Sequence, residues 1–310
     1  MGGVFHRPKK EKKLSLGEEH PDKTFYVIGK EDMIGGGWSL LLQILMHIAY
    51  AVDKGYIPIV DMKNYRNQYV TDQDFKNVNI WEKFFEQPMG YTLDDIKKSK
   101  NVIISSSAYC PDKRYNIGLG SAIWDDEPKL VMMREIFRKY IRFSQYTKDY
   151  LDKEVANVCR TNHKIIGVLC RGTDYIVNKP AGHDIQPDSK QVINDVRIAM
   201  ETENYDAIFL ATEDQDIYED FVKAFGNKVL SIDQTRISKK IMKGDAWLVA
   251  ERVKQNPNED KDKAFLSYFS STYILSKCRG FYSGRNGGSV GVLLLPNNFS
   301  KCKVYNLGIY

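Results

Sequence analysis

The chain has 310 residues, 43% of them hydrophobic, and a formal net charge of +5 from 45 basic and 40 acidic side chains. One hydrophobic core rarely serves that length, so two domains are expected, and so slight a surplus of charge, mixed along the chain, argues against a nucleic-acid surface. No run approaches the roughly 18 apolar residues of a membrane span, no signal peptide precedes Lys23, and the five cysteines lack CxxC spacing, which disfavours a disulfide framework or structural zinc and points to the cytoplasm.

Residues 1–23 read as a polar tail with a basic run, Arg7 to Lys13. Such runs are solvated or disordered, or at most drawn to an anionic membrane surface. Order is expected from Thr24-Phe-Tyr-Val-Ile-Gly29, the first strand. A glycine-rich loop, Ile34-Gly-Gly-Gly-Trp-Ser39, follows it. Trp38 to Val52 carries apolar residues at helical spacing and Ile57-Pro-Ile-Val60 is the next strand, which makes a βαβ unit. Residues 64 to 100 read as an excursion in which Trp81, Phe84 and Phe85 form local core. Val102 to Ser105 is a short strand, and Leu130 to about Cys159 a mostly helical stretch.

The second strand–helix series begins near Lys164, placing a domain boundary at about 160 and giving domains of 24–160 and 161–310. Its first strand, Ile165-Ile-Gly-Val-Leu-Cys170, is continuously apolar, as a parallel strand covered on both faces must be. It ends in Arg171-Gly-Thr-Asp174, where ligands of open α/β sheets sit. A guanidinium binds phosphate bidentately. Two further strands repeat the design: Ala207 to Ala211 runs into Thr212-Glu213-Asp214, and Arg279-Gly-Phe-Tyr282 into Ser283-Gly-Arg-Asn-Gly-Gly-Ser289. In the third, Arg285, Asn286, Gly287 and Gly288 lead into a helix start, where free N–H groups and the helix dipole favour an anion. Between Asp174 and a helix near Pro187 the residues Tyr175 to Gln186 read as a long loop carrying Lys179 and His183 to the ligand edge.

Leu169-Cys-Arg-Gly-Thr-Asp174 resembles the His-x-Arg-Arg-Thr-Asp motif of the fucosyltransferase superfamily, which includes α1,2-, α1,6- and protein O-fucosyltransferases; the overall look is nearest to bacterial sugar transferases of that group. Leu169 stands in place of the motif histidine and Gly172 in place of the second arginine. The resemblance implies that Arg171 holds the β-phosphate of GDP-fucose. It also implies that Ala211-Thr-Glu-Asp214 and Ser283 to Ser289 line the nucleotide pocket, and that Gly35, Gly36 and Gly37 belong to a loop closing over the donor. The matches span residues 24 to about 295.

The implied fold is GT-B, two Rossmann-like domains facing across a cleft, with the nucleotide sugar on residues 161–310 and a glycan or lipid-linked glycan acceptor on the N-terminal domain. The implied chemistry is inverting glycosyl transfer without metal or other cofactor. Arg171 and Asp174 are the catalytic candidates, with Thr173, His183, Thr212, Glu213, Asp214, Ser283, Arg285, Asn286, Gly287, Gly288 and Ser289 on the substrate. The base that takes the acceptor's proton is Asp174, Glu31 or Asp32, the alternative for Asp174 being to orient Arg171. Two rivals differ in chemistry: a metal-dependent transferase using Asp214-Gln-Asp216 as a cation site, against which acids at a helix start are common, and a nucleotide-sugar-binding protein without turnover.

Overall fold

A computed structural model of the chain describes residues 11–29, 36–64, 69–105, 110–117, 123–159, 164–238 and 258–310. Gly35, Glu31 and Asp32 lie outside the described residues. The chain divides into two compact units. One comprises Met1–Gly35, Ser39–Gly118 and Asp126–Thr147; the other comprises Gly36–Trp38, Leu119–Asp125 and Lys148–Tyr310.

The first unit is built on a four-stranded sheet in the order β1-β4-β2-β3, with β1 Lys12–Leu14, β2 Phe25–Ile28, β3 Ile57–Val60 and β4 Val102–Ile104. β2 runs parallel to both β3 and β4. The crossover from β2 to β3 passes through helix α1, Gly37–Asp53, which supplies the expected βαβ unit. Order begins earlier than the sequence suggests: Lys12–Leu14 pairs antiparallel with β4, Lys12 opposite Ile104 and Leu14 opposite Val102. Two lysines in a three-residue strand hide the signal, and charged residues are the usual occupants of sheet edges. Helices α2 Ile80–Phe84 and α3 Leu93–Ile96 follow β3. As expected, Trp81, Phe84 and Phe85 are core, at most 3% exposed, with the Trp81 and Phe85 rings stacked 4.4 Å apart.

The single helical stretch expected over 130–159 is two helices, α4 Glu127–Tyr140 and α5 Gln145–Val158. Between them the chain pairs with 84–86: Glu86 N donates to Arg142 O and Ser144 N to Phe84 O, at 2.8 and 2.9 Å. Ser144 Oγ accepts from Thr147 N and so starts α5. No proline or glycine marks that break, which is why helical periodicity runs through it.

The second unit carries a five-stranded, wholly parallel sheet in the order β7-β6-β5-β8-β9. The strands are β5 Ile165–Leu169, β6 Ala207–Ala211, β7 Val229–Leu230, β8 Gly280–Gly284 and β9 Lys301–Tyr305. Alternate residues of β5 and β6 serve opposite faces. Ile166, Val168, Ile208 and Leu210 pack with Val192 and Val196 of α7 (Ser189–Thr202) and Phe221 of α8 (Gln215–Phe225). Ile165, Ala207 and Phe209 pack with Ile274 and Leu275 of α9 (Lys261–Lys277) and Val292 of α10 (Gly287–Leu294). Each such large side chain contributes about 1.5–3 kcal/mol on burial. Gly167 lets α9 approach, since a Cβ there would lie 2.8 Å from Leu275 Cδ2. No helix among the described residues is long and apolar enough to cross a membrane.

Candidate functional site

The carboxyl ends of β5, β6 and β8 meet in the second unit around one pocket that is partly open to solvent. Its lining includes Arg171, Asp174, Thr212, Glu213, Asp214, Asn286 and Gly288, so residues far apart in sequence and singled out for strand-end position do converge.

Arg171 leaves the sheet just past β5, whose ladder is continued by Cys170 N donating to Ala211 O at 3.1 Å. Its Nη2 donates to Asp174 Oδ2 at 3.1 Å, and its guanidinium lies 4.5 Å over the ring of Tyr175. Asp174 is 1% exposed and also accepts from Tyr175 N at 3.0 Å. Burial opposes the charge on Arg171, yet Tyr175, Asp174, Tyr268 and Glu213 outweigh it and hold the proton more firmly than in an ordinary guanidinium. Arg171 Nε is buried and has no hydrogen-bond partner among the described residues. An unmatched buried donor on a fixed cation is costly, and an anion in the pocket would satisfy it.

The segment expected as a loop from Tyr175 to Gln186 begins as helix α6, Thr173–Asn178, ended by Lys179 at φ +42. The placement of Thr173's side chain is not described. His183 stands beside the site without lining the pocket: its Nδ1 is 3.3 Å from Tyr175 Oη, and burial, then Arg171, press its pKa down. A neutral imidazole there buttresses the ring on which Arg171 lies.

The carboxylates after β6 are structural in geometry. Asp214 caps α8, accepting from Ile217 N at 3.0 Å, and Asp216 accepts from Ser238 Oγ at 3.1 Å. Strand end plus helix start is therefore the right description of Asp214-Gln-Asp216. Thr212 Oγ1 accepts from Asp214 N, while Thr212 O accepts from Gln234 Nε2. Glu213 O accepts from Ile237 N at 2.8 Å, tying the turn to the following chain.

After β8, Asn286 and Ser289 form a capping box: Asn286 Oδ1 accepts from Ser289 N at 3.1 Å and Ser289 Oγ from Asn286 N at 2.9 Å. Asn286 Nδ2 also donates to Gln186 Oε1 and Gly284 O. The box satisfies the third N–H of α10, and the N–H groups of Gly287 and Gly288, at its first two positions, have no intrahelical partner. Ser283 and Ser289 are buried and outside the lining; Ser283 Oγ donates to Gly284 O. Arg285 is also outside it, its guanidinium bidentate on Asp125 at 2.9 and 3.3 Å. Gly36 and Gly37 lie against Tyr268 of α9.

Four polar lining residues escaped the sequence reading: Gln234, Tyr268, Ser271 and Thr272. The last three sit at i, i+3 and i+4 on α9, one face of an otherwise buried helix. A polar stripe in Phe265-Leu-Ser-Tyr-Phe-Ser-Ser-Thr-Tyr-Ile-Leu275 was the available signal.

The fold and the site define a class: a two-unit α/β protein with an anion-ready pocket at the strand ends of one parallel sheet. No family model matches the chain, and no curated protein matches it. Among solved structures it is similar to the fucosyltransferase NodZ from Bradyrhizobium, at 14% identity and TM-score 0.47, over 87% of this chain and 92% of that one. A NodZ α-1,6-fucosyltransferase soaked with GDP-fucose matches at 16% identity and TM-score 0.47, over 88% and 93%. POFUT1 in complex with GDP-fucose matches at 12% identity and TM-score 0.47, over 94% and 100%.

Proposed function

We propose that this chain is an inverting glycosyltransferase that moves a sugar, fucose in this reading, from a GDP-linked donor to a glycan hydroxyl without a metal ion. The observation that carries the proposal is the buried Nε of Arg171, without a hydrogen-bond partner among the described residues, in the pocket that Gly288, at the first turn of α10, also lines. In the reaction the acceptor oxygen bonds to the anomeric carbon as the bond from that carbon to the β-phosphate oxygen breaks. The bonding pair leaves with the diphosphate and the hydroxyl proton passes to a base. Charge growing on the diphosphate is met by a preorganised cation and by backbone N–H groups, the device such a step calls for. Asp174, buried on Arg171 and on Tyr175 N, is a positioning residue in this scheme. Since Asp214 and Asp216 are engaged in capping and in the Ser238 hydrogen bond, a metal role for them has little support. We place the protein in a reducing, cytoplasmic setting on the composition of its five cysteines, which lack CxxC spacing.

The test is calorimetry with GDP together with GDP release from GDP-fucose in excess EDTA, using glycan acceptors, free or lipid-linked. Wild type is expected to bind and turn over. Arg171→Ala should lower the rate by two to three orders of magnitude, roughly 3 kcal/mol, with an unchanged circular dichroism spectrum. Activity within threefold of wild type would remove Arg171 from the chemistry. Binding without turnover would make the chain a nucleotide-sugar-binding protein, and loss in EDTA restored by Mn²⁺ would make it metal-dependent.

A further inference from the structure

We propose that Tyr268 binds the diphosphate of the donor, its phenol adding a third hydrogen-bond donor to Arg171 and the first turn of α10. The inference rests on the functional reading just given. Tyr268 lines the pocket that holds Arg171 and Gly288. Its Oη lies 3.8 Å from the point a Cβ of Gly288 would occupy and 3.9 Å from the corresponding point at Gly36, while its ring lies against Gly37. Three glycines from two distant segments thus surround one phenol.

Their backbones do not account for them. The described glycines with positive φ are Gly55, Gly90, Gly182, Gly226 and Gly308, so none of the three needs glycine for conformation. Packing explains two: a Cβ at Gly37 would lie 2.9 Å from Tyr268 Cδ1 and Phe269 Cε2, and one at Gly288 3.1 Å from Leu169 Cδ2. It does not explain Gly36, where among the described residues a Cβ would meet only Tyr268 Oη, at ordinary contact distance. Among the described residues, then, no side chain but that of Tyr268 comes within 4 Å of a Cβ built at Gly36, which leaves the room that close approach by a ligand requires. A neutral phenol donates one O–H. That suits a phosphate oxygen already facing a guanidinium, and it adds no second buried charge.

Tyr268→Phe removes Oη alone and keeps the ring against Gly37 and Phe269. Calorimetry with GDP, inorganic pyrophosphate and guanosine then separates the possibilities. The expected result is a loss of about tenfold for GDP and for pyrophosphate alike, about 1.4 kcal/mol, with guanosine binding and the thermal midpoint unchanged. A parallel fall in kcat, larger than any rise in KM, is expected because the leaving group gains charge in the transition state. If Tyr268→Phe binds pyrophosphate as wild type does while Arg171→Ala does not, the phenol only packs and the proposal is overturned. Loss confined to guanosine would assign it to the base and overturn it equally. Undiminished pyrophosphate binding in both variants would instead sink the functional reading of the pocket.

Discussion

Gly172 explains why the site holds one arginine where the motif it resembles holds two. A Cβ at this position would lie 2.5 Å from Ile217 Cδ1 and 2.8 Å from Asp214 Oδ2, so even alanine collides with the α8 cap that Asp214 provides. Gly172→Ala should therefore cost about 1–3 kcal/mol, the usual range for overpacking. Ile217→Val, which removes the nearer atom, should recover part of that loss in the double variant. Urea midpoints decide it, and an alanine variant as stable as wild type would show that α8 yields freely. Arg171 was legible in sequence because strand-end position and guanidinium chemistry coincide there. Tyr268 was not, because a tyrosine between Ser267 and Phe269 on a buried helix looks like core, and only the fold brings it beside Gly36 and Gly288.

At the scale of elements, the first turn of α10 depends on Asn286, which caps the helix and also reaches Gln186 and Gly284 O. Loss of such a cap costs about 0.5–2 kcal/mol. Asn286→Ala should lose stability in that range and, because the turn carries Gly288 at the pocket, weaken GDP binding as well; thermal melts with and without GDP measure both. A variant that loses stability but keeps full affinity would detach the cap from the site. Three strands of the second unit, β5, β6 and β8, and the start of α10 were readable because apolar runs ending in glycine and small polar residues leave few alternatives, whereas β7 Val229–Leu230 and β9 Lys301–Tyr305 were not, being too short or too charged to show such a run. The break between α4 and α5 was not, since Ile141 to Ser144 leave the helix to pair with Phe84 and Glu86, partners set by the tertiary fold. β1 was hidden for the same reason: Lys12–Leu14 is a strand only because β4 offers it an edge.

For the whole molecule, the proposed site lies within one compact unit, and this makes a prediction about where a ligand protects. Saturating GDP, at about a hundredfold excess over Kd, should add roughly 2.7 kcal/mol to that unit. Hydrogen exchange should slow at amides of β5, β6, β8 and the start of α10, with β2 and β3 unchanged; protection confined to the first unit would move the nucleotide there. The sequence by itself determined the α/β class and the three strand ends that converge, because side-chain periodicity and chain punctuation are local properties. Tertiary structure decided which of the candidates face the pocket. It set Asn286 and Gly288 in the lining with Arg171, turned Arg285 onto Asp125, and brought in Gln234 and the stripe of α9. These outcomes depend on which atoms a packed neighbour leaves room for, and that is a property of the assembled core.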